Sequence, residues 1–241
     1  MSPFGELWQV VSELFFPPQC VACERPGARF CSACRARVQR FGPPRCPRCD
    51  MSHATQAPCP TCRRARSPLA GMRVVGPHEE PLRAAIHALK YENGGALGPL
   101  LGELLVERWA AAEIEVDAIV PVPLHPERQR ERGYNQSTLL ATALVTSLGL
   151  PLCEPVLERV RATPPQVGLD RSARQQNVAR AFRAQREAAG RRWLLIDDVC
   201  TTGATLGACA AALSEAGATE VWALVLARPT LPAPPTSLPT V

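Results

Sequence analysis

The sequence predicts an α/β protein with a mainly parallel sheet, preceded by a small zinc-binding domain. From about residue 70, apolar strand patterns alternate with amphipathic helical patterns, which is typical of a parallel sheet covered by helices. Before that point, eight of the eleven cysteines stand as four CxxC pairs. A length of 241 residues accommodates one large domain or two modest ones.

These patterns divide the chain into four segments. Residues 1–17 are expected to form an amphipathic helix, residues 18–68 a double zinc ribbon and residues 70–228 the α/β domain. Residues 229–241 are so rich in proline that they can continue neither a helix nor a central strand, so we expect a disordered tail.

Composition excludes several classes of protein. Hydrophobic residues make up 46% and charged residues 20% of the chain, which is ordinary for a globular protein. Glu6, Gln9 and Glu13 interrupt the most apolar N-terminal segment, so no run reaches the ~18 apolar residues of a membrane span. The same segment lacks the basic start of a secretory signal peptide, so we expect a cytoplasmic protein.

The cysteine pairs predict two structural zinc sites. A CxxC turn puts two thiolates on one side of a tight knuckle, and two knuckles complete a tetrahedral site with no open position. Sequential pairing joins the first two CxxC pairs and the last two, and an interleaved cross-brace is the alternative. A disulfide framework fits poorly with four repeated pairs and no signal peptide. The predicted ligands are Cys20, Cys23, Cys31, Cys34, Cys46, Cys49, Cys59 and Cys62.

Eight elements are predicted in the α/β domain. Strands are expected at Met72–Gly76, Asp117–Pro123, Trp193–Val199 and Glu220–Ala227, and helices at Pro81–Glu92, Ala96–Ala112, Asn135–Leu148 and Thr205–Ala216. The last strand, helix and strand form the clearest unit.

Two adjacent acids end the strand at Trp193–Val199, and a turn rich in threonine follows them. Open α/β sheets bind ligands at this end of their strands. Backbone N–H groups, hydroxyls and the start of the next helix together form a phosphate site, where Gly203 lets the backbone approach closely. Asp197 and Asp198 suit ribose hydroxyls or a Mg²⁺ ion instead. A mere helix-capping role for the acids would leave the hydroxyl-rich turn unexplained.

This stretch resembles the signature with which type I phosphoribosyltransferases bind 5-phosphoribosyl 1-pyrophosphate (PRPP), an apolar strand followed by Asp-Asp and a Thr-Thr-Gly-x-Thr loop. The resemblance implies a Rossmann-like phosphoribosyltransferase fold for the α/β domain, and PRPP bound with Mg²⁺. In that role Asp197 and Asp198 hold the ribose 2′ and 3′ hydroxyls and form the catalytic pair. The residues that would enclose the 5′-phosphate are Thr201, Thr202, Gly203, Ala204 and Thr205.

Further motifs resemble the ComF family, in which a double zinc ribbon precedes a phosphoribosyltransferase domain and some members are linked to DNA uptake in natural competence. The motifs are the four CxxC pairs, Leu89-Lys-Tyr91, Val120-Pro-Val-Pro-Leu-His125, Arg132-Gly-Tyr-Asn-Gln136, and Gln166-x-Gly-Leu with Arg174 and Asn177-Val178. The resemblance covers nearly the whole chain to Arg228. It implies a PRPP pocket and leaves the acceptor of any transfer undefined.

Cations are needed for the pyrophosphate of PRPP. Arg128, Arg130 and Arg132 stand at alternate positions, so an extended segment would put all three on one side. Such a row can bind pyrophosphate or a nucleic-acid backbone. The alternative is an ordinary basic loop exposed to solvent. Lys90 ends a helix, where it either lines the site or interacts with the helix dipole. His125 lacks an identifiable orienting acid, so we leave it out of the catalytic set.

Two hypotheses about function follow. In the first, the protein transfers 5-phosphoribosyl from PRPP to a nitrogen nucleophile, with residues 160–180 as a lid or an ordinary exposed loop. In the second, it is a non-catalytic adaptor whose basic zinc ribbons and Arg128–Arg132 segment bind single-stranded DNA or a competence helicase. The pocket then senses PRPP or is vestigial. Aromatic residues for base stacking are few in the ribbons, chiefly Phe30 and Phe41.

Overall fold

The computed structural model describes residues 17–65, 67–91, 94–161 and 180–230. The predictions for the N-terminal helix, for residues 162–179 of the lid and for residues 231–241 of the tail lie outside the described residues. Among the helices that are described, none combines the length and the apolar character needed to cross a bilayer.

A four-stranded parallel sheet lies at the centre of the fold, and a two-stranded antiparallel pair lies apart from it. The strands are β1 (Gly71–Pro77), β2 (Ala118–Pro121), β3 (Leu157–Arg159), β4 (Phe182–Ala184), β5 (Arg192–Val199) and β6 (Glu220–Arg228). The helices are α1 (Ser32–Ala36), α2 (Pro60–Arg64), α3 (Leu82–Tyr91), α4 (Leu97–Ala110), α5 (Pro126–Arg132), α6 (Gln136–Leu148) and α7 (Ala204–Glu215).

The sheet has the strand order β1-β6-β5-β2, so β5 pairs with a parallel strand on each side. Helices α3, α4 and α6 share a buried apolar cluster on one face of the sheet, whereas α7 and the β3–β4 pair share the cluster on the other face. Burial on both faces explains why β5 is an almost uninterrupted apolar run up to Asp197.

The eight predicted elements are confirmed, with ends displaced by no more than two residues. The structure adds elements that the sequence analysis did not predict, namely α5 and the β3–β4 pair in the α/β domain and two short helices in the zinc ribbons. Strands of three residues are too short to produce a recognisable alternation, so the pattern did not reveal β3 or β4.

Both edges of the parallel sheet are covered. At the β2 edge, Ile119 N donates to Pro151 O and Cys153 N donates to Ile119 O, each at 2.9 Å. At the β1 edge, Met72 N donates to Arg48 O at 2.9 Å and Val74 N donates to a carboxylate oxygen of Asp50 at 2.8 Å. The second zinc ribbon therefore takes the place of a neighbouring strand on β1 and shields it from other chains.

A buried ion pair holds this contact. Asp50 accepts hydrogen bonds from Arg108 of α4, with Nη2 at 2.6 Å and Nε at 3.0 Å, and the same Nε donates to Val74 O at 3.1 Å. Asp50 is 3% exposed and Arg108 8% exposed. Because the charges are desolvated, their mutual geometry and their extra hydrogen bonds must offset the loss of water.

The first zinc ribbon packs into the core of the α/β domain. Its Phe30 and Val38 are buried in the same apolar cluster as Val75, Leu82 and Ile86. On the surface, Arg35 forms ion pairs with Glu103 and Glu107 of α4. The first zinc ribbon has few apolar residues of its own and therefore uses the α/β domain as part of its core. The domain boundary near residue 69 stays a prediction.

We expect Asp50→Asn to lower the free energy of unfolding of the zinc-loaded protein by about 3–5 kcal/mol, because Arg108 would lose its counter-charge in a buried site. Asparagine keeps the shape of the side chain and tolerates the positive φ of 61° at this position. The measurement is urea unfolding followed by circular dichroism.

Arg83→Ala is the matched control, because it breaks the exposed Arg83–Glu80 pair at 2.8 Å. It should cost less than about 1 kcal/mol. Equal losses in the two variants would show that the Asp50–Arg108 pair does not stabilise the fold more than a surface pair does.

Candidate functional site

The eight predicted zinc ligands form two clusters, and their pairing is sequential. Within each cluster the four thiol sulfurs lie within 4.8 Å of one another. The first cluster consists of Cys20, Cys23, Cys31 and Cys34, and the second of Cys46, Cys49, Cys59 and Cys62. The interleaved alternative is therefore wrong.

The two clusters repeat one local design. Cys31 N points at the sulfur of Cys20 at 3.4 Å, and Cys59 N points at the sulfur of Cys46 at 3.3 Å. Each first knuckle is followed by a residue with positive φ, which is Glu24 in one ribbon and Asp50 in the other. In the second ribbon, one turn therefore positions the zinc ligands Cys46 and Cys49 and also Asp50, the acid of the buried ion pair.

The thiols fit zinc in distance and in charge. Zn–S bonds of ~2.3 Å in a tetrahedron place sulfurs ~3.8 Å apart. Cys23 and Cys31 sulfurs are 3.7 Å apart, and those of Cys49 and Cys59 are 3.8 Å apart. Burial and the neighbouring thiols raise the pKa of Cys34 to about 12. Four thiolates this close need a cation to be stable together, and Zn²⁺ supplies the charge.

The two acids of the predicted PRPP signature lie at the carboxyl end of β5. An oxygen of Asp197 accepts hydrogen bonds from Asp198 N at 2.9 Å and from the buried Ser137 hydroxyl at 3.2 Å. Burial, followed by the charge of Asp198, raises the pKa of Asp197 to about 7. The pair therefore carries a charge that the fold only partly compensates.

Lys90 compensates the second acid. It lies in the last turn of α3, and its Nζ is 2.8 Å from Oδ1 of Asp198. Burial disfavours the ammonium, but the Asp198 carboxylate outweighs this effect and raises the pKa of Lys90. The other oxygen of Asp198, Oδ2, is buried without a hydrogen-bond partner among the described residues. Lys90 thus contacts one acid of the pair, and its role in binding PRPP stays a prediction.

The threonine-rich turn connects β5 to α7. Gly203 immediately precedes the helix with a φ of +81°, a conformation that glycine adopts without strain. Thr202 Oγ1 accepts from Ala204 N at 3.3 Å. Thr201 is exposed, whereas Thr202 and Thr205 are half-buried. Thr201 and Thr205, on either side of the start of this 12-residue helix, line a pocket.

The motif Arg132-Gly-Tyr-Asn-Gln136 ties three parts of the site together. Tyr134 Oη donates to Leu89 O at 2.6 Å, next to Lys90. Asn135 caps α6 by accepting from Ser137 N at 3.0 Å, and its Nδ2 donates to Val122 O at 3.0 Å. The polar residues of this motif thus fix the end of α3, the loop after β2 and the start of α6 relative to one another.

The expectation that three arginines share one side of an extended segment is wrong. Residues Pro126–Arg132 form α5, which starts with Pro126 after His125 and ends at Gly133 with a φ of +80°. At ~100° per residue, Arg128 and Arg132 share a face and Arg130 points away from it. Proline fits the first turn of a helix and glycine its end, and these two signals mark a helix here.

The arginines of α5 accordingly have different partners. Arg128 lines a pocket that also contains Asp197 and is described in the next paragraph. Arg132 hydrogen-bonds Gln136 and lies over the Tyr91 ring at 5.4 Å from its centroid. Arg130 Nε bonds the Pro126 carbonyl of its own helix at 3.4 Å. His125 accepts from Glu127 N at 3.4 Å, so its ring caps α5.

A pocket of about 200 Å³ opens between the loops that follow the neighbouring strands β2 and β5. We call it the acid pocket. The polar side chains that line it belong to Arg128, Gln136, Arg159, Asp197, Thr201 and Thr205. Arg159 was not predicted, because it lies on a strand of three residues with no motif around it. Burial and the nearby Arg128 lower its pKa, which indicates that two cations face this pocket.

Comparison with known proteins agrees with this architecture. The double zinc ribbon domain family matches residues 11–67, and the phosphoribosyl transferase domain family matches residues 135–236. Competence protein F of Haemophilus influenzae is 32% identical over 231 residues, which are 89% of this chain and 98% of that protein. The chain belongs to the ComF family.

Other members of the ComF family show the same breadth of similarity. DNA utilization protein YhgH of Salmonella typhimurium is 33% identical over 223 residues, covering 88% of this chain and 98% of that protein. Competence protein ComFC of Streptococcus pneumoniae is 28% identical over 204 residues, covering 83% and 87%. The ComF architecture of double zinc ribbon and phosphoribosyltransferase domain therefore extends over most of the chain.

We expect the purified protein to hold two zinc ions per chain, one in each cluster. Cys34→Ser should release one of them and leave the other, because it removes a ligand from the first cluster only. Elemental analysis by mass spectrometry measures the ratio. Cys153→Ser is the control, since Cys153 is a free cysteine outside both clusters, and it should leave both ions in place. Loss of both ions from Cys34→Ser would contradict two separate sites.

Proposed function

We propose that this ComF-family protein binds PRPP together with Mg²⁺ in the acid pocket. The observation that carries the proposal is the buried Asp198 Oδ2, which has no hydrogen-bond partner among the described residues. A buried carboxylate oxygen without a donor is costly, and a ribose hydroxyl can supply that donor.

The ribose hydroxyls are assigned to the acid pair. Ser137 and the Asp198 backbone orient Asp197, and Lys90 orients Asp198. Hydrogen bonds to a charged acceptor are the stronger kind, so two fixed carboxylates can hold the vicinal hydroxyls of a ribose firmly.

The 5′-phosphate is assigned to the turn at residues 201–205. Its glycine, its threonine hydroxyls and the start of α7 provide donors and a favourable dipole. The role of each residue in the turn stays part of this proposal.

The pyrophosphate is assigned to the cations of the pocket. Arg128 and Arg159 both line it. Lys90 contacts Asp198, the residue that follows the pocket residue Asp197. Arg130 bonds a carbonyl of its own helix, and Arg132 contacts Gln136 and Tyr91, so we assign these two arginines a supporting role. Mg²⁺ would be held by the carboxylates together with pyrophosphate oxygens, and it would neutralise the leaving group.

Such a site permits phosphoribosyl transfer. The bond between C1 and the pyrophosphate oxygen breaks, pyrophosphate leaves with the electron pair, and a nitrogen nucleophile bonds to C1 and releases its proton to solvent. The protein's contribution is to position the reactants and to stabilise charge.

We further propose that this pocket serves DNA utilization, the process for which the similar proteins are named. The zinc ribbons are less suited to hold DNA directly, because several of their arginines bind the protein itself. Arg48 donates to Cys62 O, Ser67 O and Leu69 O at 3.3 Å, and Arg35 pairs with two glutamates. The pocket is therefore the better candidate for the functional centre.

We expect Asp197→Asn to weaken binding of PRPP by about 10- to 150-fold, because a hydrogen bond to a charged group contributes about 1.5–3 kcal/mol. Asp198→Asn should do the same. The measurement is calorimetric titration of PRPP with Mg²⁺ into the zinc-loaded protein, followed by an acceptor screen scored by pyrophosphate release.

Asp117→Asn is the matched control, because Asp117 makes the same kind of acid contact at the opposite end of the strands. It accepts from Arg192 N at 2.8 Å just before β2. This variant should bind PRPP as the wild type does. Absence of PRPP binding by the wild type would overturn the proposed function.

A further inference from the structure

The first zinc cluster belongs to the same apolar core as helix α3. Two of its four cysteine ligands are buried in this core, and the other two pack against it. The core also contains the inner face of α3, which is formed by Leu82, Ala85, Ile86, Ala88 and Leu89. Because a packed interior transmits changes of volume, the zinc ligands and this helix are mechanically linked.

Helix α3 leads from this core to the acid pair. Its last turn carries Lys90, whose Nζ lies 2.8 Å from Oδ1 of Asp198. Leu89, the residue before it, is completely buried in the core. On the ribbon side, Val21 follows the zinc ligand Cys20 and lines the same hollow of about 330 Å³ as Lys90. The first ribbon therefore lies close to the end of α3 as well as against its buried face.

The second zinc cluster is joined to the α/β domain in a different way. Asp50, next to the ligand Cys49, contacts Arg108 of α4 and the edge of β1. Met51 packs against the core on the opposite face of the sheet, where α7 lies. Arg228, at the end of β6, donates to Cys49 O at 3.5 Å, which is long for a hydrogen bond. These contacts lead to α4, β1 and β6 rather than to α3.

The packing of the first ribbon beside α3 requires metal. The ribbon contributes Phe30 and Val38 to the shared core. We expect a segment with so few apolar residues to fold only when zinc joins its two knuckles. Two states then differ at α3, because its apolar face is covered by the ribbon when zinc is bound and loses this cover when zinc is absent.

The end of α3 also has a support outside the ribbon. Tyr134 Oη donates to Leu89 O at 2.6 Å, and Arg132 lies over the Tyr91 ring. Both contacts come from the segment before α6. Loss of zinc should therefore loosen the hold of Lys90 on Asp198 without abolishing it.

We propose that zinc in the first cluster regulates the acid pocket, because it packs the first ribbon against α3 and so keeps Lys90 on Asp198. The inference rests on the proposed function for its ligand, PRPP. Zinc in the second cluster stabilises the sheet edge and leaves the pocket unchanged. Coupling between two sites is reciprocal, so PRPP in the pocket should raise the affinity of the first cluster for zinc by the same factor.

The test compares Cys34→Ser with Cys62→Ser, each of which removes one ligand from one cluster. PRPP with Mg²⁺ is titrated calorimetrically into the full chain of each variant. We expect Cys34→Ser to weaken PRPP binding about 5- to 150-fold, the range typical of coupling between sites. Cys62→Ser should stay within about twofold of the wild type, as independent sites do. Equal losses in the two variants, or no loss in Cys34→Ser, overturn the proposal.

A second readout needs no PRPP. Lys90 is the only lysine of the chain, so protein made with isotope-labelled lysine gives one backbone amide signal in a nuclear magnetic resonance spectrum. Exchange of this amide with deuterium reports on the last turn of α3. We expect faster exchange in Cys34→Ser and wild-type exchange in Cys62→Ser. Exchange that Cys34→Ser leaves unchanged contradicts the hold of zinc on α3.

Lys90→Met tests the route through the ammonium. Methionine keeps an unbranched side chain and removes the charge. Once the contact with Asp198 is gone, zinc has nothing left to support there. Adding Cys34→Ser to Lys90→Met should therefore weaken PRPP binding by less than about twofold further. Losses that add in full overturn the route through Lys90.

The two proposals fail in different ways. A wild type that does not bind PRPP defeats the proposed function, and exchange of the Lys90 amide then still decides whether zinc holds α3. A wild type whose PRPP affinity does not depend on the first zinc keeps the proposed function and defeats the inference. Zinc content and thermal melting show that each cysteine variant has lost one ion and is folded at the temperature of the titration.

Discussion

The contact between Asp50 and Arg108 joins the metal-binding part of the chain to the sheet. Asp50 directly follows the zinc ligand Cys49, and its carboxylate reaches both α4 and the edge of β1. Zinc that closes the knuckle therefore also sets the position of this acid. Since a zinc site of this type is formed only in the folded state, metal affinity contributes to the stability of the sheet as well as of the ribbon.

The site at the other end of the sheet depends on incomplete compensation of charge. Two adjacent acids stand at the end of a buried strand, and the chain provides one lysine for them. Asp197 keeps a raised pKa, and Asp198 keeps a buried oxygen that has no donor in the part of the chain that the structure describes. Such local costs are typical of positions that are completed by a ligand, because a fold selected for stability alone would remove them.

Much of this arrangement was predictable from sequence, because its signals are local. The CxxC spacing, the run of β5 and the Asp-Asp and threonine turn each reflect rules that act over a few residues. Contacts between distant residues were not predictable in this way. Arg159, the Asp50–Arg108 pair and the sequential pairing of the knuckles depend on how separate segments meet in space. The segment Arg128–Arg132 differs for a local reason, because Pro126 and Gly133 favour a helix start and a helix end there.

Lys90 is the one lysine in a chain whose other basic residues are all arginines. Of the 27 basic residues, all except Lys90 are arginines, so guanidinium groups carry nearly all of the positive charge of the chain. Beside Asp198 the space is shared by a helix end, a strand end and Tyr134. A guanidinium is broad and planar and needs room for its fork, whereas an ammonium is a compact point charge. The single lysine of the sequence therefore lies where a compact charge meets a buried carboxylate.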